Sequence, residues 1–381
     1  MRIAITSPPW IPVPPQGYGG IERVVYNVIQ GFKEKGHDVT LYATGDSVVP
    51  SKLQYLYTKA LGNHFNLKLN PYLILDHMYH FYKDAKKHYD IVHDNMGEAS
   101  LYFADLTNTP MVMTLHGPLN ENTDDLFKAY GTLHSTRELL KNFKQFPFVS
   151  ISDKQREGLP ELNFVKTIYN SLILSEFDFN ETGGDDMVWI GRINFTKGVD
   201  LGIKAAEILK KRLILASYID TGDIPYYEKE IKPHFTQGYV SPAGEMKDIQ
   251  IKSQFLGNAR LFLFPIRWDE PFGIVMIEAM AVGTPLVSFA LGSAPEVIKD
   301  GETGYLVNFS DHDIRGDWVI KKTGIEGLCE AIERIYTMPQ DKYLTMRKAC
   351  RTHVEKNFTI KRMVDKYEEV YTQVLSLNKT S

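Results

Sequence analysis

Short apolar runs alternate with longer amphipathic stretches along most of this chain. The short runs are typical of buried strands, and the stretches between them have the periodicity of helices. Regular alternation of the two predicts parallel βα units. In the first half the predicted strands are Arg2–Thr6, Asp38–Ala43, Ile91–His93, Met111–Leu115, Phe148–Ile151 and Val165–Ile168.

The first predicted strand leads into a loop rich in proline and glycine, and a helix follows over about 21–35, ended by Gly36. The pattern starts again after a polar stretch that closes with Gly183-Gly184-Asp185-Asp186, a composition typical of a linker. The second set of predicted strands is Met187–Ile190, Leu213–Ala216, Leu261–Phe264, Pro285–Ser288 and Tyr305–Val307.

Two halves with one pattern predict an α/β fold of two Rossmann-like, doubly wound domains facing across a cleft. We assign residues 1–170 to an N-terminal, acceptor-side domain, 171–186 to a linker and 187–357 to a C-terminal, donor-binding domain. Residues 358–381 contain a last predicted helix. In such a fold the carboxyl ends of both sets of strands point toward the bound ligand.

Composition narrows the class of protein. A chain of 381 residues can bury two cores, and its formal net charge of −4 gives no reason to expect nucleic-acid binding. The two cysteines lack metal-ligand spacing and fit a reducing compartment. No apolar run reaches the roughly 18 residues of a spanning helix. We expect a cytoplasmic protein, with a peripheral membrane position left open.

The strongest chemical signal lies at residues 268–278, Trp-Asp-Glu-Pro-Phe-Gly-Ile-Val-Met-Ile-Glu. Glu270 falls in the loop after a predicted strand, and Glu278 lies on the helix that follows. The start of this helix, near Gly273 and Ile274, offers backbone N–H groups that suit an anion. Since carboxylates can also bind sugar and ribose hydroxyls, the segment predicts a sugar-nucleotide pocket.

Two cations follow the first strand of the second half. Arg192 and Lys197 lie in a loop with a glycine on either side, Gly191 and Gly198. Taken alone, such residues are usually solvated surface groups. Together with the Glu270–Glu278 segment they predict a clamp for a diphosphate, because cations there stabilise the charge of a departing phosphate.

The first half offers three further candidates. Tyr18-Gly19-Gly20 joins the first strand to the first helix, where glycines allow close approach of a ligand, although a plain flexible loop is the alternative. His116 follows a predicted strand and precedes Gly117. His93 ends another strand, and here a core histidine is as good an interpretation as a binding residue.

The motif Glu270-Pro-Phe-Gly-Ile-Val-Met-Ile-Glu278 resembles the E-x7-E motif of retaining GT-B glycosyltransferases, especially family 4. The segments Ala279–Val287, Gly191–Gly198 and Gly17–Arg23 continue the resemblance. It implies a metal-independent hexosyltransferase with a UDP- or GDP-sugar donor and a sugar, lipid-linked or small-molecule acceptor. It also implies that the helix in 358–381 returns to the N-terminal domain.

The resemblance assigns roles to residues. Glu278 would bind the ribose, Glu270 the sugar hydroxyls, and Arg192 with Lys197 the phosphates. His116 would lie near the reacting carbon and counts with Arg192, Lys197 and Glu270 as catalytic. The remaining donor-binding candidates are Gly19, Gly20, Phe272, Gly273 and Ile274, and the acceptor-binding candidates are Tyr18, His93 and Gly117.

Other interpretations stay open. A glycoside phosphorylase of the same fold, or a nucleotide-sugar-binding protein without activity, would share much of the pattern; an NAD-dependent oxidoreductase would need a glycine fingerprint that is missing. Asp311-His312-Asp313 is a short Asp-x-Asp match that we interpret as surface, so no metal or cofactor is expected. Residues 72–89 predict either a helix packed on the first domain or a weak membrane contact.

Overall fold

The computed structural model describes residues 1–62, 70–85, 88–119, 136–236 and 238–378. The chain divides into two compact units. The first combines Met1–Ser171 with Ile360–Ser381, and the second is Leu172–Thr359. The chain therefore changes unit at Ser171–Leu172 and again at Thr359–Ile360.

The first unit is built on a parallel sheet. Its seven described strands have the order β3-β2-β1-β4-β5-β6-β7. The central strands are buried on both faces, which is typical of a parallel sheet covered by helices. The strands are β1 (Arg2–Thr6), β2 (Asp38–Ala43), β3 (Lys52–Tyr55), β4 (Ile91–Asp94), β5 (Met111–Thr114), β6 (Phe148–Ser150) and β7 (Phe164–Thr167).

Helices cover this sheet. The last one packs on the first, where Phe32 stacks on Tyr371 with ring centroids 5.3 Å apart and Gly31 leaves room for Val364. This packing explains why the carboxyl-terminal segment belongs to the first unit. The helices are α1 (Gly20–Glu34), α2 (Pro71–Ala85), α3 (Thr136–Asn142), α4 (Asp153–Glu157) and α11 (Ile360–Asn378), with a 3-10 segment at Glu98–Leu106.

The second unit repeats the plan with a parallel sheet of order β10-β9-β8-β11-β12-β13 among its described residues. The strands are β8 (Met187–Arg192), β9 (Leu213–Tyr218), β10 (Val240–Gly244), β11 (Leu261–Phe264), β12 (Leu286–Phe289) and β13 (Gly304–Val307). The α-helices of four or more residues described in this unit are α5 (Val199–Leu209), α6 (Ile249–Gly257), α7 (Ile274–Ala281), α8 (Ala294–Val297), α9 (Gly324–Thr337) and α10 (Gln340–Asn357).

The segment predicted as a linker is anchored in the second unit. Gly183 approaches Arg347 so closely that an added Cβ would lie 2.5 Å from Nη1, and a Cβ on Gly184 would lie 2.1 Å from the Asn258 carbonyl oxygen. These glycines therefore allow close packing within the second unit. The two points at which the chain changes unit are adjacent, since the Leu172 amide donates to the Phe358 carbonyl at 3.0 Å.

Helix α2 is packed on the first unit. Its inner face packs into the core of the first unit through Met78, Phe81, Tyr82 and Ala85. The interpretation as a packed helix is confirmed over Pro71–Ala85. Nowhere in the described ranges does a helix combine the length and the apolar character needed to cross a membrane.

Candidate functional site

In each sheet the strand order reverses beside the first strand, and this is where open α/β sheets bind ligands. In the second unit the reversal lies between β8 and β11. The loops that follow these strands are joined: the Arg267 amide donates to the Thr196 carbonyl at 2.8 Å. Gly198 has φ 66°, and a Cβ there would lie 1.8 Å from the Pro265 carbonyl oxygen. Only glycine fits this approach.

Lys197 and Glu270 meet at this crevice in an ion pair between Nζ and Oε2. Trp268 supports both residues, because its Nε1 donates to Glu270 Oε2 at 3.0 Å and its ring lies 4.7 Å from the ammonium. The side chains of Lys197 and Glu270 are 20% and 12% exposed. A cation and a carboxylate thus face the crevice together, one suited to phosphate oxygens and the other to hydroxyl groups.

Arg192 ends β8 at the same crevice. Its Nε lies 3.4 Å from Asp223 Oδ2 but makes no hydrogen bond within the described chain. Burial raises the pKa of Asp223, and the positive charge of Arg192 opposes that shift. Arg192 is therefore held near Asp223 by charge attraction, and its guanidinium offers a positive charge to an anion bound in the crevice.

The start of α7 adds an anion-binding group. Gly273, with φ 72°, precedes the helix, and no side chain caps its amino end. The first N–H groups of a helix have no acceptor within it, and the helix dipole favours negative charge there. Ser293 fixes the loop, since its amide donates to the Glu270 carbonyl at 2.9 Å and its hydroxyl to the Phe272 carbonyl at 2.8 Å.

The structure places the Phe272 side chain in the core. It is 1% exposed, and its ring packs at 5.9 Å from that of Phe358. Phe272 therefore anchors the loop, and its predicted donor contact stays a prediction. Glu278 is likewise buried, on the second turn of α7, where it pairs with Lys252 at 2.5 Å.

The reversal in the first unit lies between β1 and β4. His116 follows β5, and its Nε2 donates to Asn95 Oδ1 at 2.9 Å. Both line a cavity of about 170 Å³ with Gly97, Glu98 and Gly117. Burial lowers the pKa of His116 to about 4, so its ring is neutral at physiological pH.

His93 has the role of a core residue. It is 0% exposed, with Nε2 hydrogen-bonded to the Thr114 hydroxyl at 2.7 Å and Nδ1 to the Tyr371 hydroxyl at 2.8 Å. Burial, with a smaller contribution from the charge of His116, lowers its pKa to about 3. Both nitrogens have hydrogen-bond partners within the protein, which favours the interpretation as a core histidine, and the predicted acceptor contact stays a prediction.

The remaining candidates of the first unit lie on its loops. Tyr18 is exposed, and Gly19 and Gly20 form the start of α1. Gly117 is exposed, while its carbonyl accepts a hydrogen bond from Gln155 at 2.7 Å. Their predicted donor and acceptor contacts stay predictions.

The Asp-x-Asp match has partners within the protein. Asp313 binds Arg315 through Nε at 2.8 Å and Nη2 at 3.2 Å, and Asp311 accepts from Thr323 at 2.6 Å. No cluster of at least three His, Cys, Asp or Glu side chains with metal-site geometry occurs in the described ranges.

Several supporting residues escaped sequence reasoning. Asp200 binds Arg267 through two contacts of 2.5 Å and so fixes the loop before Glu270. Asp223 and Lys252 contact predicted site residues from distant parts of the chain. Of the residues that support the site, Trp268 alone could have been inferred from the sequence, because it stands directly before the Asp269-Glu270 pair.

Comparison with known proteins agrees with this geometry. Residues 176–351 match the model of the glycosyl transferases group 1 family, and residues 18–156 match that of glycosyltransferase family 4. The chain is a family 4 glycosyltransferase with the GT-B fold. An uncharacterized glycosyltransferase of Methanocaldococcus jannaschii, MJ1607, is 24% identical over 84% of this chain and 86% of its own.

Other relatives of this glycosyltransferase match in part or in fold. The alpha-maltose-1-phosphate synthase of Mycolicibacterium smegmatis is 32% identical over 33% of this chain and 34% of its own. The structure of a sucrose-phosphate synthase from Thermosynechococcus elongatus superposes with a TM-score of 0.78 at 19% identity, covering 99% of both chains. Anabaena HepE, solved with UDP-glucose, gives 0.70 at 16% identity over 98% of this chain and 100% of its own.

Proposed function

We propose that this glycosyltransferase moves a hexosyl group from a nucleotide-diphosphate sugar to an acceptor hydroxyl, with retained configuration and without a metal ion. The acceptor would be a sugar, a lipid-linked sugar or a small molecule. The observation that carries the proposal is the joint placement of Lys197, Glu270, Arg192 and the uncapped start of α7 at one strand-order reversal.

Each group has a chemical task in this proposal. Arg192, Lys197 and the first amides of α7 bind the diphosphate and stabilise the charge that grows as it departs. Glu270 accepts hydrogen bonds from sugar hydroxyls, and Glu278 accepts them from the ribose. The ion pair with Lys197 keeps Glu270 oriented for that contact.

Retention follows from transfer on one face of the sugar. The bond from the anomeric carbon to the phosphate oxygen breaks, and the acceptor oxygen bonds to that carbon from the same side. The acceptor proton goes to an oxygen of the leaving phosphate. A neutral His116 can position a hydroxyl by hydrogen bonding without taking that proton, since burial lowers its pKa to about 4.

The solved neighbour with UDP-glucose supports a nucleotide-sugar donor, and it favours UDP among the candidate nucleotides. A thermal-shift series with UDP-, GDP- and ADP-glucose tests this directly. At a hundred times Kd a ligand adds about 2.7 kcal/mol to the free energy of unfolding, which raises the melting temperature by about 5–11 °C for domains of this size. Lys197→Met should lose the shift, and the exposed Lys321→Met should keep it.

The products decide between the alternatives. Transfer to an acceptor, with free nucleoside diphosphate released, supports the proposal. Release of a sugar 1-phosphate in the presence of phosphate would identify a phosphorylase. Binding of every donor with no turnover over a broad acceptor panel would identify a binding protein.

A weak peripheral membrane contact is part of the same proposal. Tyr72 and Tyr79 are 72% and 50% exposed on α2, and Lys83 lies 6.0 Å from the Tyr79 ring. Such a face suits the interface of an anionic bilayer. The wild-type protein should sediment with vesicles of anionic lipid, and a variant with Tyr72 and Tyr79 changed to Ser should stay in the supernatant. Equal sedimentation of the wild type and the variant would contradict the membrane contact.

A further inference from the structure

The second glutamate of the motif is held by a lysine from another helix. Lys252 lies on α6, and its Nζ is 2.5 Å from Glu278 Oε1. The two side chains are 16% and 5% exposed. Within the described parts of the chain neither side chain has a second polar partner. The pair is therefore buried and isolated.

Such a pair is a poor way to stabilise a fold, because desolvation of two charges offsets most of their attraction. It does fix an orientation. The ammonium takes one oxygen of Glu278 and leaves the lone pairs of Oε2 for another donor. The contact therefore determines which oxygen a ligand can use.

Both helices are fixed by one buried cation. Arg347 is 0% exposed and donates to the Gly257 carbonyl at the end of α6, at 2.9 Å, and to the Val282 carbonyl after α7, at 3.3 Å. In addition, the Thr284 hydroxyl donates to the Leu256 carbonyl at 2.7 Å. The helices that carry Lys252 and Glu278 are thus held in a constant position relative to each other.

We propose that Lys252 is a positioning residue that holds Glu278 Oε1, so that Oε2 accepts the hydroxyl hydrogen bonds of the donor ribose. The inference rests on the proposed function, in which Glu278 binds that ribose. A 2′- or 3′-deoxy nucleotide would leave Oε2 buried without a donor. An unpaired buried group of this kind typically lowers affinity by 10- to 100-fold, so Lys252 sets the preference for ribonucleotides.

The test measures the Kd of UDP, 2′-deoxy-UDP and 3′-deoxy-UDP by calorimetry. The wild-type protein should prefer UDP by at least about 10-fold. Lys252→Met, which has similar length but no charge, should reduce that ratio to about 3-fold or less, mostly through weaker binding of UDP. The control Lys321→Met removes an exposed lysine, 68% exposed, and should keep the ratio.

A second variant separates the orientation of Glu278 from the charge of its partner. It also keeps the inference testable if the Lys252→Met protein does not fold. Lys252→Arg keeps the cation, but a guanidinium takes both carboxylate oxygens and so occupies Oε2. The ribose preference should fall here as well, with the melting temperature close to that of the wild type. An unchanged preference in this variant overturns the inference.

Glu278→Gln distinguishes failure of the inference from failure of the proposed function. If this variant loses the ribose preference while both Lys252 variants keep it, Glu278 binds the ribose and only the role of Lys252 is wrong. If Glu278→Gln keeps the full preference, Glu278 does not bind the ribose, and the proposed donor site is wrong with it.

Discussion

The two strand-order reversals share a topology and differ in chemistry. In the second unit the crevice between β8 and β11 holds charged groups, with Lys197 paired to Glu270 and Arg192 beside Asp223. In the first unit the crevice after β4 and β5 has no such ion pair among its described residues: a neutral His116 is bonded to the Asn95 amide oxygen, and Glu98 is a carboxylate among the residues that line the cavity. The fold thus provides the location, and the loop residues decide which ligand chemistry it suits.

Burial disfavours charge on the titratable groups of the first unit's crevice. Around His93 and His116 it keeps the rings uncharged, with pKa values of about 3 and about 4. Asp94, which follows His93 directly in the sequence, is buried too, and burial raises its pKa although Tyr82 and Met96 donate to it. The charged crevice suits a diphosphate, and the neutral one suits a hydroxyl acceptor. Four predictions test this contrast.

The largest effect should come from the charged crevice. Lys197→Met and Glu270→Gln should each lower kcat by about 10²–10³-fold, the usual result of removing a group that stabilises the leaving charge or holds the sugar. Steady-state kinetics with the donor chosen by thermal shift would measure this. Lys321→Met serves as the control, and turnover at the wild-type level in either variant would remove that residue from the site.

The neutral crevice predicts acid lability. Burial lowers the pKa of His77 to about 4, in the same unit as His93 and His116. The unfolded chain takes up these protons near the ordinary pKa of about 6.5, so stability is complete above that pH and falls as the pH approaches the folded value. At pH 5 each such histidine costs about 2 kcal/mol.

Urea unfolding at pH 7 and pH 5, with proteolysis to identify the unit that opens, checks this expectation. The first unit should open before the second at pH 5. His77→Gln should recover about 2 kcal/mol of the loss between the two pH values, because a Gln amide can donate to the Ser7 carbonyl without titrating. The exposed His312→Gln should recover nothing. Equal pH dependence of all three proteins would contradict the assignment.

A smaller effect should follow from Asp223→Asn. This carboxylate lies 3.4 Å from Arg192 and is 22% exposed, so it competes with donor phosphates for the guanidinium. Its removal should lower the donor KM about fivefold, or about 1 kcal/mol, with kcat little changed. An exposed carboxylate of the same unit provides the control, Asp317→Asn. A raised KM would show that Asp223 positions Arg192 and does not compete with the donor.

The sequence predicted the central strands of both sheets and missed one edge strand in each. Leu261–Phe264 is a strand with the predicted bounds, because an unbroken apolar run of this length is typical of a parallel strand buried on both faces. Lys52–Tyr55 was missed because this edge strand is mostly exposed and has no apolar run. Val240–Gly244 was missed for a similar reason, since it contains Pro242 and Gly244.

The site was predictable to the extent that its residues share one segment. Glu270, Glu278 and the helix start lie within one motif, and the Pro-Phe-Gly sequence between them, placed after a buried strand, indicated the chemistry. Lys252 contacts Glu278 across 26 positions of sequence, and only the packing of two helices brings them together. The buried positions of His93 and Phe272 could not be inferred either, because burial depends on which elements cover a strand or loop.

The smallest expected effect is that of chelation. EDTA should change the transfer rate by less than about twofold, because Arg192, Lys197 and the start of α7 can neutralise the leaving diphosphate without a metal ion. A metal at Asp313 would first have to displace Arg315, whose Nε and Nη2 lie 2.8 and 3.2 Å from its carboxylate oxygens. The assay compares the rate after EDTA treatment with the rate after Mg²⁺ or Mn²⁺ is added back. Loss of transfer on chelation, with recovery on addition of a divalent ion, would contradict this expectation. If Asp313→Asn also removed that recovery, the charged crevice would depend on a metal ion. Its contrast with the neutral crevice would then no longer rest on side chains alone.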